Sequence, residues 1–444
     1  MKYFKNFFSI FCLSISLLLL LYVFYKSEIS WQGSRRNFYI IYYIFSLLLI
    51  FFSIIIFYLS KKINEYLIIL SVSSILSLYF FEGYSLIKDI YNPSINVKKK
   101  IYEKQTGKKY DTRSKLEVYK ELKKINSNVT LKVSPRNYLK NNHILFPLSG
   151  ISNSKTIYNN ENGYYFIYES DRYGFNNPDK EWDSDELEYM LIGDSFTHGA
   201  NVNRPNDIAS LLRTLYSKST LNLGYSGNGP LIQYATLREY LNPNVKKIIW
   251  IYFEGNDLID LNDEINNKTL ISYLNDLTFS QNLKVRQNEI DSFVNDVLNK
   301  TNLNKYTQFI KLYKTRQMMS NLLNDKSLTK KTKKNDTKNN PLLTLSEFKK
   351  IIKLAKNLSQ KNNSQFYFVY LPKYQRYKNN HVDLNYNLVK KIIRELDIPF
   401  IDIHSEVFQK EKNPLKLFPF EMNGHYNVEG YKKIAETIYK FTQG

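Results

Sequence analysis

A serine, a glycine, an asparagine and a histidine occur in this order along the chain, each inside a short motif at the edge of an apolar or helical run. Ser195 lies in Leu191-Ile192-Gly193-Asp194-Ser195-Phe196-Thr197, where an apolar stretch stops. Gly227 closes Asn222-Leu223-Gly224-Tyr225-Ser226-Gly227, Asn256 is the centre of Gly255-Asn256-Asp257, and His425 has Asn427 and Gly430 just behind it. A serine becomes a nucleophile when a histidine takes its proton. Backbone N–H groups at a helix start, a glycine N–H with no side chain in the way and an Asn NH2 can all face the oxyanion of a tetrahedral intermediate. Such a set fits acyl transfer through a serine. Taken singly, each residue has a plainer reading: Ser195 as a helix N-cap, Gly227 as a turn, Asn256 as an Asn-Asp turn capping the next segment.

The four motifs together resemble the SGNH (GDSL-type) hydrolase family, whose name lists Ser, Gly, Asn and His. The resemblance covers about Tyr189–Gly444. It implies a flavodoxin-like three-layer α/β/α sandwich with a parallel sheet. It also implies Ser195 as nucleophile, His425 as general base, and an oxyanion hole built from the Ser195 N–H, the Gly227 N–H and the Asn256 side chain. Family members usually carry an Asp two or three positions before the histidine. Here Met422 and Asn423 stand there, with Glu421 one step further back. Asn423, or a backbone carbonyl, is therefore expected to orient His425, leaving a Ser–His dyad; an Asn carbonyl does this in papain-like enzymes. Of the other histidines, His198 is expected to line the pocket, and His143 and His381 lie in polar segments without a nucleophile motif. His404 follows Asp402, which is expected to cap a strand end.

Elements able to bring these residues together are legible around them. Glu188–Gly193 and Lys247–Phe253 read as strands, as do Leu221–Leu223, Gln365–Leu371 and Pro399–Ile403. Asp207–Tyr216, Leu231–Leu241, Leu384–Leu396 and a last segment with Tyr431, Ile434, Ala435, Ile438 and Phe441 on one face read as helices. Strands alternating with helices predict a parallel sheet covered on both faces, with ligands beyond the strands' carboxyl ends. Residues 151–444 are expected to form this domain, with a helical insertion at about 258–340. The insertion is either a lid over the site or a surface elaboration, and its Lys326–Asn340 tail is expected to be a linker.

The remaining chain argues for a membrane. Phe7–Phe24, Phe38–Leu59 and Tyr66–Ile87 are apolar, flanked by Lys and Arg, and close to the ~20 residues that cross a bilayer as a helix. A transmembrane region of about three helices over residues 1–88 is expected, followed by a polar stalk over 89–150. No small-x-small site follows the first stretch to support a cleaved signal peptide. With the N-terminus inside, four basic residues flank the helices on the cytoplasmic side against seven outside, the reverse of the positive-inside rule. The family resemblance favours export, so the expectation is a multi-pass protein of a bacterial inner membrane with its hydrolase domain on the outer, periplasmic side. Net charge is +21. Without a basic helix, zinc spacing or RNP-like motif, it reads as the Lys-rich usage of an AT-biased sequence and not as nucleic-acid binding. Cys12 is the only cysteine, so no intrachain disulfide forms, and no metal or cofactor is expected.

The expected activity is that of a membrane-anchored serine esterase or O-acyltransferase. It would act on acyl esters, O-acetyl among them, of an envelope glycan or lipid-linked sugar, with membrane lipid as neighbour. No second large membrane bundle is present to deliver an acyl donor, so hydrolysis is preferred over transfer. The competing expectation is a non-catalytic glycan-binding or assembly protein with a degraded triad, for which Asn423 is the only support.

Overall fold

The computed structural model describes residues 2–30, 33, 36–90, 93–139, 145–300, 305–319, 341–378 and 385–443. They divide into two units, one made of 1–90 with 304–325 and the other of 91–303 with 326–444. His143, His381 and the expected 326–340 linker lie outside the described residues.

In the second unit the strands are β1 (Val129–Leu131), β2 (Lys155–Ile157), β3 (Ile167–Glu169), β4 (Leu187–Gly193), β5 (Thr220–Asn222), β6 (Val245–Phe253), β7 (Gln365–Leu371) and β8 (Phe400–Asp402). The last five form one sheet in the order β5-β4-β6-β7-β8, and every pair in it is parallel. This is a doubly wound flavodoxin-like sheet, in which the chain moves outward from β4 to β5 and then returns to the other side of β4 for β6. Alternation along the central strands divides the core. Tyr189, Leu191, Ile249 and Ile251 pack on one face with the helices Ile208–Tyr216 and Val428–Thr442. Met190, Ile192, Trp250 and Tyr252 pack on the other with the helices Pro230–Tyr240 and Pro341–Lys361. Both faces are covered, so the central strands are apolar from Tyr189 and Ile248 to their carboxyl ends.

Residues 129–139 and 145–150 do not behave as a polar stalk. β1, β2 and β3 form a small sheet, with β1 parallel and β3 antiparallel to β2. Val133, Tyr138, Phe146 and Leu148 are buried in the main core. The physical reason is visible in the chain: Val129, Leu131 and Val133 alternate with polar residues, the period of a half-buried strand. The insertion also differs from a lid over its first half. Helices Asp257–Glu264, Lys268–Asn275 and Gln287–Lys300 bury Leu261, Leu270, Tyr273, Leu274, Ile290 and Val294 in that same core. Arg238 ties this part down by donating to the carbonyls of Tyr273, Leu277 and Phe279 at 2.8, 2.8 and 2.6 Å.

The first unit contains the helices Lys2–Phe24, Arg36–Tyr58 and Lys61–Ile90, each long and apolar enough to cross a membrane. Large apolar side chains such as Leu18, Ile41 and Phe80 face outward, which marks a membrane-associated region. The serines that interrupt the third helix are accommodated locally. Ser71, Ser73 and Ser77 donate to the carbonyls four residues earlier at 2.7, 2.6 and 2.8 Å. Glu82 of the same helix is buried and accepts from the backbone N–H groups of Lys314 and Thr315 at 2.9 and 2.8 Å and from the Thr315 hydroxyl at 2.8 Å. Residues 305–319, reached from the second unit, therefore pack within the membrane-associated unit.

Candidate active site

Ser195 stands at the carboxyl end of β4, where the strand turns into the short helix Ser195–His198. The turn needs Gly193, because a Cβ there would lie 2.0 Å from Thr197 Oγ1 and 2.6 Å from the Ile251 carbonyl. Asp194 caps the helix by accepting from the Phe196 N–H at 2.9 Å. His425 precedes the helix Val428–Thr442, whose N-cap Asn427 accepts from the Gly430 N–H at 3.0 Å. These two supports bring Ser195 Oγ to 2.9 Å from His425 Nε2. Phe196 packs against the imidazole with ring centres 4.7 Å apart.

The other ring nitrogen faces a residue that the sequence reading does not contain. Glu161 places Oε2 and Oε1 at 3.1 and 3.2 Å from His425 Nδ1, and Oε2 also accepts from the His425 backbone N–H at 3.0 Å. Glu161 sits in the loop joining β2 to β3. The Tyr158 N–H donates to the Phe166 carbonyl at 2.9 Å and the Phe166 N–H to the Asn159 carbonyl at 2.8 Å to close this loop, and the Gly163 N–H donates to Asn160 Oδ1 at 2.9 Å. Asn423, the expected orienter, lines the cavity but makes no contact with Nδ1. The segment Asn423-Gly424-His425 runs beside the Glu161 carboxylate, so the acid reaches His425 from across the fold. Gly424 leaves room for it: a Cβ there would be 3.0 Å from Glu161 Oε2. Burial alone would raise the Glu161 carboxyl, but its hydrogen bonds and ion pairing with His425 outweigh that and hold it below the usual glutamate value.

Asn201, buried and in the left-handed region at φ 68°, brings its amide to 3.0 Å from the same Nδ1. An amide nitrogen and an Nδ1–H cannot both donate. A histidine serving as base at Nε2 therefore requires the Asn201 oxygen turned toward the ring. Asn162, next to Glu161, donates to the Asn201 carbonyl at 2.6 Å and joins the two loops.

Asn256, after β6, lines the same cavity as Ser195, Glu161 and His425, a space of about 650 Å³. Phe196 and Phe253, with ring centres 4.0 Å apart, make one apolar wall, and Lys373 and Gln375 line another part of it. The segment 372–378, which includes the short helix Tyr374–Lys378, is anchored by buried Glu254, which accepts from the Lys373 N–H at 2.8 Å and pairs with Arg376. Asn256 donates from Nδ2 to Asp260 at 2.6 Å. Gly227 has φ 84° and is not among the residues lining this cavity; a Cβ on it would lie 2.2 Å from Ser134 Oγ.

Two buried carboxyls lie behind the nucleophile. Burial raises Asp194 above its ordinary value, and burial together with the nearby Asp194 charge pushes Asp257 well above the carboxylate range. His198 does not line the pocket. It is fully buried among Tyr158, Phe166, Tyr168 and Tyr225, and burial drives its basicity well down. His404 contacts the Tyr377 hydroxyl at 2.7 Å, away from Ser195, and Asp402 caps the turn after β8.

The sequence profile of the GDSL-like lipase/acylhydrolase family matches residues 189–438. Among solved structures, a lipolytic protein of the G-D-S-L family from Desulfitobacterium hafniense DCB-2 is 14% identical, with 58% of this chain and 99% of that one covered at a TM-score of 0.33. An acetyl xylan esterase matches at 13% identity, 58% and 100% coverage and a TM-score of 0.33. The acetylxylan esterase Axe2 from Geobacillus stearothermophilus matches at 14%, 57% and 93%, and 0.31. No curated protein matches the chain.

Proposed function

The chain belongs to the GDSL-like lipase/acylhydrolase family, and on that premise we propose that it is a membrane-anchored serine esterase working through a Ser195–His425–Glu161 triad. The observation that carries this reading is the continuous contact from Ser195 Oγ through the His425 ring to the Glu161 carboxylate. His425 Nε2 takes the hydroxyl proton as Ser195 Oγ attacks an ester carbonyl. On this reading the Ser195 N–H and the Asn256 side chain, both at the cavity, face the resulting oxyanion, and the Gly227 N–H, from a residue outside the cavity lining, is taken as the third donor on the family's pattern. Collapse of the tetrahedral intermediate breaks the C–O bond, and the leaving alcohol takes the proton back from His425. Water activated by the same histidine then releases the acyl group. Glu161 keeps the proton on Nδ1 and stabilises the imidazolium that forms during each transfer.

The substrate class is an acyl ester on a polar, hydroxyl-rich alcohol, in keeping with an envelope glycan or lipid-linked sugar. Lys373, Gln375 and Asn423 give the cavity hydrogen-bonding walls beside the apolar face of Phe196 and Phe253. Transfer to a sugar hydroxyl in place of water uses the same acyl-enzyme. On this reading the three apolar helices cross the membrane and the hydrolase unit faces the outer side, an orientation supported by the family resemblance alone. A non-catalytic binding role had only Asn423 in its favour, and Glu161 supplies the carboxylate that was missing near the histidine.

The test is fluorophosphonate labelling of the detergent-solubilised chain beside Ser195→Ala and His425→Ala. Labelling of the wild type that both substitutions abolish is the expected result. A well-folded wild type that takes no label would overturn the reading.

A further inference from the structure

The stretch after β1 alternates. Leu131, Val133 and Pro135 turn into the core, while Lys132, Ser134 and Arg136 lie on its more accessible side. All three of the latter reach the elements that carry Gly227 and Asn256. Lys132 Nζ and Ser134 Oγ both donate to the Ser226 carbonyl, at 3.1 and 2.8 Å. In a trans peptide the carbonyl of one residue and the N–H of the next point in opposite directions. Two donors that hold the Ser226 oxygen therefore also aim the Gly227 N–H, and they polarise it as a hydrogen-bond donor. Tyr158 completes the clamp through its hydroxyl, 2.6 Å from Ser226 Oγ. Lys132 Nζ lies 5.1 Å from the Tyr158 ring centre and 5.4 Å from that of Tyr225.

Arg136 acts on the second donor. It forms an ion pair with Asp260 and another with Asp263 at 2.6 Å. Asp260 is buried and takes one of the two Nδ2 hydrogens of Asn256 at 2.6 Å. With Asp260 fixed by Arg136, the Asn256 amide is held in one rotamer and its other N–H is left for a ligand.

We infer that Lys132, Ser134 and Arg136 are positioning residues of the oxyanion hole, the first two aiming the Gly227 N–H through the Ser226 carbonyl and the third fixing the Asn256 amide through Asp260. The inference rests on the oxyanion roles proposed above. It also extends the site: these residues and Glu161 all precede the family-matched region 189–438, so the segment before it takes part in catalysis.

Oxyanion donors act on the transition state more than on the bound ester, so their misplacement lowers kcat and leaves KM. The experiment uses the full chain in detergent with p-nitrophenyl acetate, comparing wild type, Ser195→Ala, Lys132→Met, Ser134→Ala, Arg136→Gln and Arg136→Lys. Ser134→Ala and Arg136→Gln are each expected to lower kcat about tenfold with KM within about twofold. The rate of fluorophosphonate capture should fall in parallel, and Arg136→Lys should recover most of the loss. Ser134→Ala removes a single oxygen and remains a fair test should Arg136→Gln not fold. Folded Ser134→Ala and Arg136→Gln proteins with wild-type kcat would overturn the inference while the Ser195 dependence stood. A wild type no faster than Ser195→Ala would instead remove the acyl-enzyme reading, and this inference with it.

Discussion

The Glu161 carboxylate meets His425 Nδ1 at 3.1 Å across 264 residues of chain, and the same carboxylate also accepts the His425 backbone N–H. One acid thus fixes both the ring and the loop that carries it. Replacing a triad Asp by Asn costs about 10⁴ in turnover in a serine protease, through the wrong imidazole tautomer. Glu161→Gln is accordingly expected to lower kcat for a small ester by about 10²–10⁴ with little change in KM. Asn423→Ala, which touches neither ring nitrogen, should stay within about threefold of wild type. Steady-state kinetics on the two variants decides which residue orients the histidine.

Gly424 has a role of its own in that contact. Its neighbour space is the Glu161 carboxylate, 3.0 Å from where a Cβ would stand, so Gly424→Ala must push the acid away from the ring. The carboxylate has to give by only a few tenths of an ångström, so a loss of kcat of about two- to fivefold is expected. The double variant Gly424→Ala with Glu161→Asp, which shortens the acid, should be less impaired than the sum of the two single losses. Strict additivity would mean that the methyl acts elsewhere.

Ser195, Asn256 and His425 were legible because each follows a strand or precedes a helix within a few residues, and a parallel sheet must gather such positions at one edge. Glu161 was not. Its loop, Asn159-Asn160-Glu161-Asn162-Gly163, reads as an ordinary turn, and nothing local ties it to a histidine so far along the chain. The usable signals were negative or small: no acid just before His425, and a glycine immediately beside it. Residues 129–139 do not read as part of the domain because β1 and its partner strands β2 and β3 are only three residues each, while Lys and Asn around β1 dominate the composition. The Val129-Leu131-Val133 alternation carried the correct information. His198 shows the limit of sequence proximity: three residues from the nucleophile, it turns into an aromatic core.

The depressed Glu161 carboxyl makes a statement about pH. Its proton is bound less tightly in the folded protein than in the unfolded one. Its stabilisation is therefore fully present above the unfolded glutamate value of about 4.3 and is lost as pH falls through the lower folded value. The difference in thermal midpoint between wild type and Glu161→Gln should shrink as pH falls below about 4.3. A difference that grew on acidification would mean that the carboxyl is raised in the folded state.

Asp257 gives the opposite sign. Burial and the neighbouring Asp194 raise it well above the carboxylate range, so the folded state holds a proton that the unfolded chain releases near pH 4. That contribution is complete below about pH 4 and is lost as pH rises through the folded value. Asp257→Asn keeps an acceptor for the Phe253 N–H, which Asp257 Oδ2 now accepts at 3.0 Å, and removes the ionisation. Its thermal midpoint should fall less steeply than that of the wild type as pH rises above about 4, while the fluorophosphonate labelling rate changes only about threefold. Parallel pH profiles for the two proteins would place the titrating burden on Asp194 alone.

Glu82 tests how residues 305–319 are held. A carboxylate within an apolar helix is costly unless its lone pairs are filled, and here three donors from Lys314 and Thr315 fill them. Glu82→Ala removes an acceptor from backbone N–H groups, a loss on the scale of about 1–2 kcal/mol for a helix cap. Local opening of the segment should rise roughly tenfold. Limited trypsin digestion of the membrane-embedded protein reads this at Lys311, Lys314 and Arg316, where the variant should be cut about ten times faster while cleavage elsewhere is unchanged. Equal cleavage rates would show that Tyr79, which donates to the Ile310 carbonyl at 3.0 Å and packs on Phe309, is sufficient to hold the segment.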